Sequence, residues 1–288
     1  MAVVNTNVNA SIAQNALVRN ERNMNTAMER LSTGQRINGA KDDAAGLAIS
    51  SRMTSQIRGL EAGVRNANDA ISMVNTGDGA LIEVTNMLQR MRELAIQASN
   101  GTTASADRGY LDAEYANLAT EIERIAQNTQ WNGTSILEGT YGSGAEVAFQ
   151  VGANAGQTIT VSFGDISQAG TSEMTQFTTG NSGASIAAGT AASALTTASA
   201  AITAIDNAIT LVNTQRATFG AAVNQLTYAV DNLSNVKVNA EAARSRILDT
   251  DYAKETSELA RTQIIQQAGT AMLAQANQLP QTVLALLR

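Results

Sequence analysis

A chain of 288 residues with 44% hydrophobic content is long enough to bury a sizeable core, in one large domain or two small ones. With no Cys and no His it offers no disulfide framework, thiolate nucleophile or iron–sulfur site, and lacks both the commonest zinc ligand and the commonest neutral-pH acid–base. A net charge of -6 argues against nucleic acid as a partner, and charged residues at 15% with aromatics at 3% leave small aliphatic side chains suited to close helix packing.

In chain order, the first feature is an absence of charge from Met1 to Val18, with Ile12, Leu17, Met24, Met28 and Leu31 forming a loose helical stripe. The first basic residue is Arg19 and no run approaches 18 consecutive apolar residues, so neither a cleavable secretory signal nor a membrane span is visible. Lys41, Asp42 and Asp43 follow, the two acids placed where a helix N-terminus favours negative charge. From Leu60 the series Leu60, Val64, Ala67, Ile71, Val74, Leu81 and Leu88 keeps a heptad register with Asp78 and Thr85 as its polar exceptions. That predicts a helix from about Asp42 to Ser99, stopped by Asn100-Gly101. Leu111, Tyr115, Leu118, Ile122 and Ile125 predict the next, capped by Ser105 and closed by Asn132-Gly133.

Val147, Phe149 and Val151, then Ile159, Val161 and Phe163, alternate with smaller or polar neighbours and predict a β-hairpin over 147–163, turning at Gly152 to Gly156. The Ser-, Thr- and Gly-rich stretch from about 165 to 200 has neither period and reads as a loop or loose insertion. The return helix is the clearest: from Ile202 to Ile247 one heptad series is broken only by Arg216, Lys237 and Arg244, about 70 Å of helix at ~1.5 Å per residue. No charge occurs from Thr262 to Leu287, where Met272, Ala276, Leu279, Val283 and Leu286 form a stripe beyond Ile264 and Ile265. The fold expected is mainly α: a long antiparallel coiled-coil-like bundle with a small β-hairpin and paired terminal helices. Uncharged faces on both terminal helices imply burial by other copies, hence polymerisation.

Several segments together resemble the bacterial flagellins, of a short kind with little outer insertion. They are Leu31-Ser32-Thr33-Gly34, Arg36-Ile37-Asn38, Lys41 through Ser50, Gln89 through Ala95, Thr129 through Gly133, Phe149 through Asn154, Ala276 through Gln281 and Leu284 to Arg288. Gly39 departs from the family pattern, where serine is frequent. The resemblance implies a structural subunit of a helical homopolymer, the extracellular flagellar filament. It implies export through the flagellar secretion apparatus, with an export chaperone, a cap protein and hook-associated proteins as partners. Residues 1–44 and 248–288 would form an inner-tube helix pair, 45–177 and 200–247 a rod, and 165–199 a small variable outer stub.

Site readings follow from the same resemblance, each beside a plainer one. Ile12, Leu17, Met24, Leu31, Ile264, Ile265, Met272, Leu279, Val283 and Leu286 would carry polymerisation. Lys41, Asp42 and Asp43 are either a capping cluster or a joint between tube and rod, and both can hold. The hairpin is a stabilising flap, or takes part in the axial shift between two protofilament lengths. Gln89, Arg90, Leu94 and Glu114 match positions recognised by the vertebrate Toll-like innate immune receptor for flagellin; otherwise Leu94 packs and the rest are a solvated face. Thr171, Ser172, Thr178, Thr179, Ser182 and Ser185 are a polar loop or O-glycosylation sites. No catalytic motif, metal site or cofactor is expected. A hook–filament junction protein and a secreted helical adhesin are the alternatives to a filament subunit.

Overall fold

The computed structural model describes residues 7–139, 141, 146–167, 174, 185–187 and 191–286. The helices lie where the heptad series place them: α1 (Val8–Thr33), α2 (Ala44–Ala98), α3 (Ser105–Asn128), α4 (Ala191–Leu248) and α5 (Tyr252–Leu286). Four short strands complete the order, β1 (Gln130–Trp131), β2 (Thr134–Ser135), β3 (Glu146–Gln150) and β4 (Thr158–Ser162). The chain divides into two compact units, Met1–Ile57 with Val238–Arg288 and Arg58–Lys237.

In the unit of residues 58–237, the apolar positions of α2, α3 and α4 form one core. Val74, Leu81 and Leu88 from α2, Tyr115 and Ile122 from α3, and Ile205, Val212 and Phe219 from α4 are all buried. Phe163, just after β4, meets Phe219 with ring centroids 5.2 Å apart. Gly77 leaves room for that ring, since a Cβ there would lie 3.0 Å from Phe219. Each fully buried large side chain contributes roughly 1.5–3 kcal/mol. By length and composition alone α4 could cross a bilayer, with a window of mean hydropathy 1.3. Its Ala198, Ala201, Ile205, Ala208 and Val212 are instead buried in this core.

Three details depart from the sequence expectation. Asn132-Gly133 does not close α3; with φ of 50° and 80° it turns the hairpin β1–β2, in which Gln130 faces Ser135 and Trp131 faces Thr134. The N-cap of α3 is Ala104, which makes no side-chain cap bond, so Ser105 is the first helical residue rather than the cap. The stretch expected to be loose supplies Ile166, Met174, Ile186 and Ala198 to the core, and α4 starts at Ala191 rather than near 202. Isolated apolar residues among Ser, Thr and Gly carry no period, so their burial leaves no mark in the sequence.

The hairpin expected over 147–163 is β3 and β4, with Val147 opposite Val161 and Phe149 opposite Ile159. Its turn lies against two glycines of α2. A Cβ on Gly63 would sit 2.6 Å from the Val151 carbonyl oxygen, and one on Gly59 2.9 Å from the Ala153 Cβ. Asn66 Nδ2 donates to the Gln150 carbonyl at 2.9 Å, fixing the hairpin to the same helix.

In the unit of residues 1–57 and 238–288, the links on either side of the helices are tied together. Arg36 N–H donates to the Leu248 carbonyl at 2.7 Å and Thr250 N–H to the Gly34 carbonyl at 3.1 Å. Gly34 ends α1 in the left-handed conformation at φ 70°, where a Cβ would also approach the Tyr252 hydroxyl to 2.9 Å. Asp43 Oδ1 accepts from Gly46 N–H at 2.8 Å and starts α2, while Asp42 Oδ2 accepts from the N–H groups of Asn38 and Gly39 at 3.1 Å each.

Candidate functional site

The pairing of α1 with α5 decides which faces of the terminal helices stay open. Asn7 Nδ2 donates to the Ala276 carbonyl at 2.8 Å, Asn20 Nδ2 to the Thr262 carbonyl at 2.7 Å, and Arg30 Nη1 to Glu255 Oε1 at 3.0 Å. Rising numbers on α1 meet falling numbers on α5, so the pair is antiparallel. Sheltered residues on α1 recur as Ala10, Ala13, Leu17, Asn20, Met24, Ala27 and Leu31, in alternating steps of three and four. On α5 they are Leu259, Thr262, Gln266, Gly269, Leu273 and Ala276. Small and polar side chains predominate in this seam. Leu17 reaches over Gly269, where a Cβ would lie 2.6 Å from its Cδ2.

Most of the large apolar side chains are left outside the seam. Val8, Ile12, Val18 and Met28 on α1 and Ile264, Ile265 and Met272 on α5 are exposed, Ile12 at 62% and Met272 at 66%. No charged residue occurs on α1 before Arg19 or on α5 after Arg261, so Val8, Ile12 and Met272 have no ionised neighbour within a turn of their own helix, whereas Val18 adjoins Arg19, Met28 adjoins Glu29, and Ile264 and Ile265 lie one turn from Arg261. Exposed apolar side chains on an uncharged surface are the mark of a protein-covered face.

The expected polymerisation residues therefore fall into two groups. Leu17, Met24 and Leu31 pack inward on the seam, whereas Ile12, Ile264, Ile265 and Met272 face away from it. The stripe expected on α5 is split, because Ala276 is partly sheltered and Met272 is not. Where Leu17 crosses α5 the facing residue is Gly269, so a bulky side chain on one helix is met by a small one on the other. The side chains of Leu279, Val283 and Leu286 lie outside the described residues.

The charge of this unit gathers at the other end of the helix pair. A groove of about 750 Å³ is lined there by Arg30, Arg36, Arg246 and Lys254 together with Asp249, Asp251, Glu255 and Glu258. Glu255 is buried and paired with Arg30, whose Nε is sealed from solvent without a hydrogen-bond partner. Lys41 is exposed, and Asp42 and Asp43 are occupied in the turn bonds described above. Among the described residues no three His, Cys, Asp or Glu side chains gather as a metal site would require.

In the other unit, Arg90 bonds Glu114 through Nε at 2.9 Å and Glu93 through Nη1 at 3.0 Å. The two carboxylates hold the Arg90 guanidinium above its usual pKa, chiefly through the Glu114 bond. Gln89, Arg90 and Glu114 are exposed, but Leu94 is buried in the core and leaves that surface. Of the candidate glycosylation residues, Ser185 is half-buried and its Oγ accepts from Ala187 N–H at 3.3 Å. Next to it Ile186 is buried, its N–H donating to Asp112 Oδ1 at 2.7 Å. Thr171, Ser172, Thr178, Thr179 and Ser182 lie outside the described residues.

Two functional positions escaped sequence reasoning. Arg108 is 2% exposed; Nε donates to the Ala98 carbonyl at 3.0 Å and Nη2 to the Asn100 carbonyl at 3.1 Å. It closes the C-terminus of α2 from the first turn of α3. Asn20 interrupts the α1 stripe at a seam position, and that placement was the available signal.

A helical chain of this kind, with apolar side chains left open on a helix pair whose outer stretches carry no charge, is a structural subunit that assembles with copies of itself. The family profile for the bacterial flagellin N-terminal helical region matches residues 4–142, and that for the bacterial flagellin C-terminal helical region matches 202–287. The chain belongs to the bacterial flagellin family, whose members are the structural subunits of the extracellular flagellar filament of swimming motility. Among its relatives, a flagellin of Halalkalibacterium halodurans is 44% identical over 288 residues, covering 99% of this chain and 100% of the relative. Flagellin A of Vibrio cholerae is 35% identical over 378 residues, covering 99% of each chain. The crystal structure of Bacillus cereus flagellin shares 36% identity over 59% of this chain and 88% of that one, with a TM-score of 0.48.

Proposed function

We propose that the chain polymerises through the outward apolar face of its terminal helix pair. The observation that supports this is the exposure of Ile12 and Met272 on the charge-free stretches of α1 and α5, continued by exposed Ile264 and Ile265 one turn beyond Arg261. At ~25 cal/mol per Å², covering such side chains in every subunit offsets the entropy of ordering the helix ends. In this reading residues 1–44 and 248–288 line the inner tube, 45–177 and 200–247 form the surrounding rod, and 165–199 is a small outer element. Leu17, Met24 and Leu31 shape the pair and the outward set meets neighbouring copies; Leu279, Val283 and Leu286 are assigned to polymerisation with them. Lys41, Asp42 and Asp43 hold the turn into α2 and act at the joint. The role is mechanical rather than catalytic, in keeping with a chain that has no His and no Cys.

The test is electron microscopy of heat-depolymerised protein cooled with short filament seeds, beside a chain lacking residues 269–288. The full chain is expected to extend the seeds into long tubes, and the truncated one to stay unassembled while α2, α3 and α4 keep their helical signal. Seeded growth by the truncated chain would remove the terminal pair from its assigned role. Persistently monomeric full-length protein would favour the junction-protein or adhesin reading over that of a filament subunit.

The remaining partners belong to the same proposal. Export occurs unfolded through the flagellar secretion apparatus with a chaperone, and assembly occurs under a cap protein beyond hook-associated proteins. Gln89, Arg90 and Glu114 form the surface for the Toll-like receptor, with Leu94 supporting it from the core. Unchanged receptor signalling by Arg90→Ala and Glu114→Ala chains would exclude that surface. O-linked glycans fit the cluster from Thr171 to Ser182 better than Ser185, which is held beside a buried neighbour, and intact mass decides the matter.

A further inference from the structure

The seam repeats by heptads, Ala13, Asn20 and Ala27 beside Ala10, Leu17, Met24 and Leu31 on α1, and Leu259, Gln266 and Leu273 beside Thr262, Gly269 and Ala276 on α5. Sliding α1 by one heptad along α5, roughly 10 Å at ~1.5 Å per residue, would again set apolar side chains against apolar ones at most positions. Asn20 distinguishes the registers by its hydrogen bonds. Its side chain lies at a seam position with the residue only 7% exposed, and Nδ2 donates both to the Thr262 carbonyl at 2.7 Å and to Gln266 Oε1 at 3.2 Å. A one-heptad slip replaces Gln266 by Leu259 or Leu273, neither of which accepts a hydrogen bond. The buried amide would then lose its side-chain partner in either direction. Elsewhere in the pair, Arg30 holds Glu255 and Leu17 overlies Gly269, contacts that depend on the same register.

We infer that Asn20 sets the axial register of α1 on α5, and thereby which outward apolar residues stand side by side for a second copy of the chain. The inference rests on the assembly reading above, in which that outward face meets the neighbouring subunit. Asn20 acts through position, since its own side chain faces inward. A single polar side chain in an otherwise apolar helix seam is a recognised means of choosing one register among near-equivalent ones, at a cost in stability. Asn20→Leu should accordingly leave the pair formed while allowing it to slide.

The chain has no cysteine, so introduced thiols report register without background. Ala13→Cys with Leu273→Cys reports the native register, and Leu17→Cys with Ala276→Cys a slip of one heptad. Both pairs are oxidised in full-length protein offered to seeds, with Asn20 retained or replaced by Leu, and the crosslinks are counted in the assembled and unassembled fractions together. With Asn20 only the first crosslink should form in quantity; with Asn20→Leu the second should rise about fivefold or more, the factor expected from removing one unpaired buried polar group. Gln266→Leu, which leaves Asn20 in place and removes its side-chain acceptor, should give a smaller rise in the same direction. A native crosslink pattern in both variants would overturn the inference. So would loss of both crosslinks in both variants, which would make the polar layer a requirement for pairing rather than for register. Slipped chains that extend seeds into ordinary tubes at the unmodified rate would leave the register inference standing and overturn the assembly reading.

Discussion

Asp78 and Arg216 meet at 2.8 Å, and each is a residue that interrupts the apolar heptad series of its own helix. The same holds along α4: Lys237 Nζ lies 2.7 Å from Glu61 Oε1, and Arg244 Nη1 donates to Thr54 Oγ1 at 3.4 Å. Every break in the α4 series thus has a polar partner on α2. Asp78 and Arg216 are each about one-third exposed, so their attraction is partly screened. Asp78→Ala should lower the unfolding free energy by about 1 kcal/mol. Replacing both residues by Leu should recover that loss, because an apolar pair of similar volume avoids the desolvation cost. Urea denaturation of the parent, Asp78→Ala, Arg216→Ala and the double Ala chain gives the coupling in a double-mutant cycle, the double Leu chain gives the recovery, and an additive cycle would show that the two residues do not interact.

Arg108 makes a stronger prediction because it is buried. Its guanidinium donates to two carbonyls left over where α2 ends, Ala98 and Asn100. Arg108→Met keeps most of the aliphatic volume but leaves those acceptors unmet, at an expected cost of about 2–4 kcal/mol. The denaturation midpoint should fall with an unchanged slope. Hydrogen exchange should quicken first around 98–105, and a midpoint within experimental error of the parent would contradict the bonding described.

Much of this fold was legible because helices and coiled-coil seams repeat. The apolar series of α2 and α4 located both helices and even marked Asp78 and Arg216 as exceptions. Nothing in the sequence, however, said that the exceptions meet, since pairing across helices depends on register. Asn132-Gly133 reads equally as a helix stop and as a hairpin turn, because the same left-handed dipeptide serves both purposes. The stretch holding Met174 and Ile186 reads as loose because two buried side chains without a period look like chance. On α5 the bulky stripe was legible but its direction was not. Leu, Ile and Met mark a face that wants burial, and only the contact with α1 shows that Ala, Gly and Thr form the internal seam while Met272 waits outside.

Acid should loosen the link between Glu61 and Lys237. The hydrogen bond and charge of Lys237 hold the Glu61 carboxyl below its ordinary value, outweighing its slight desolvation. A depressed folded-state value means the contribution is fully present above the unfolded-state value and is lost as pH falls through the folded one. Stability of the parent should therefore decline on acidification below about pH 4.5, the ordinary carboxylate range. Glu61→Gln should flatten part of that decline while leaving other carboxylates to titrate. Thermal unfolding of both chains between pH 3 and 7 provides the comparison, and parallel curves would remove Glu61 from the acid response.

Two glycines of α2 should respond in opposite directions to the same substitution. Replacing a mid-helix glycine by alanine ordinarily stabilises a helix by about 1 kcal/mol. Gly79 has nothing within 4 Å of where a Cβ would stand, so Gly79→Ala should show that gain. Gly63 faces the turn of the β3–β4 hairpin, where a Cβ would lie 2.6 Å from the Val151 carbonyl oxygen and 2.9 Å from its carbon. Those are backbone atoms, unable to swing aside as a side-chain tip would. Overpacking of this kind costs about 1–3 kcal/mol, enough to cancel or exceed the helical gain. Gly63→Ala should therefore be neutral to destabilising, and the hairpin should lift, losing the Asn66 bond to the Gln150 carbonyl. Faster hydrogen exchange over 146–162 in Gly63→Ala, but not in Gly79→Ala, would register that change. Equal stabilisation of both variants would mean that the hairpin does not press on α2 in solution.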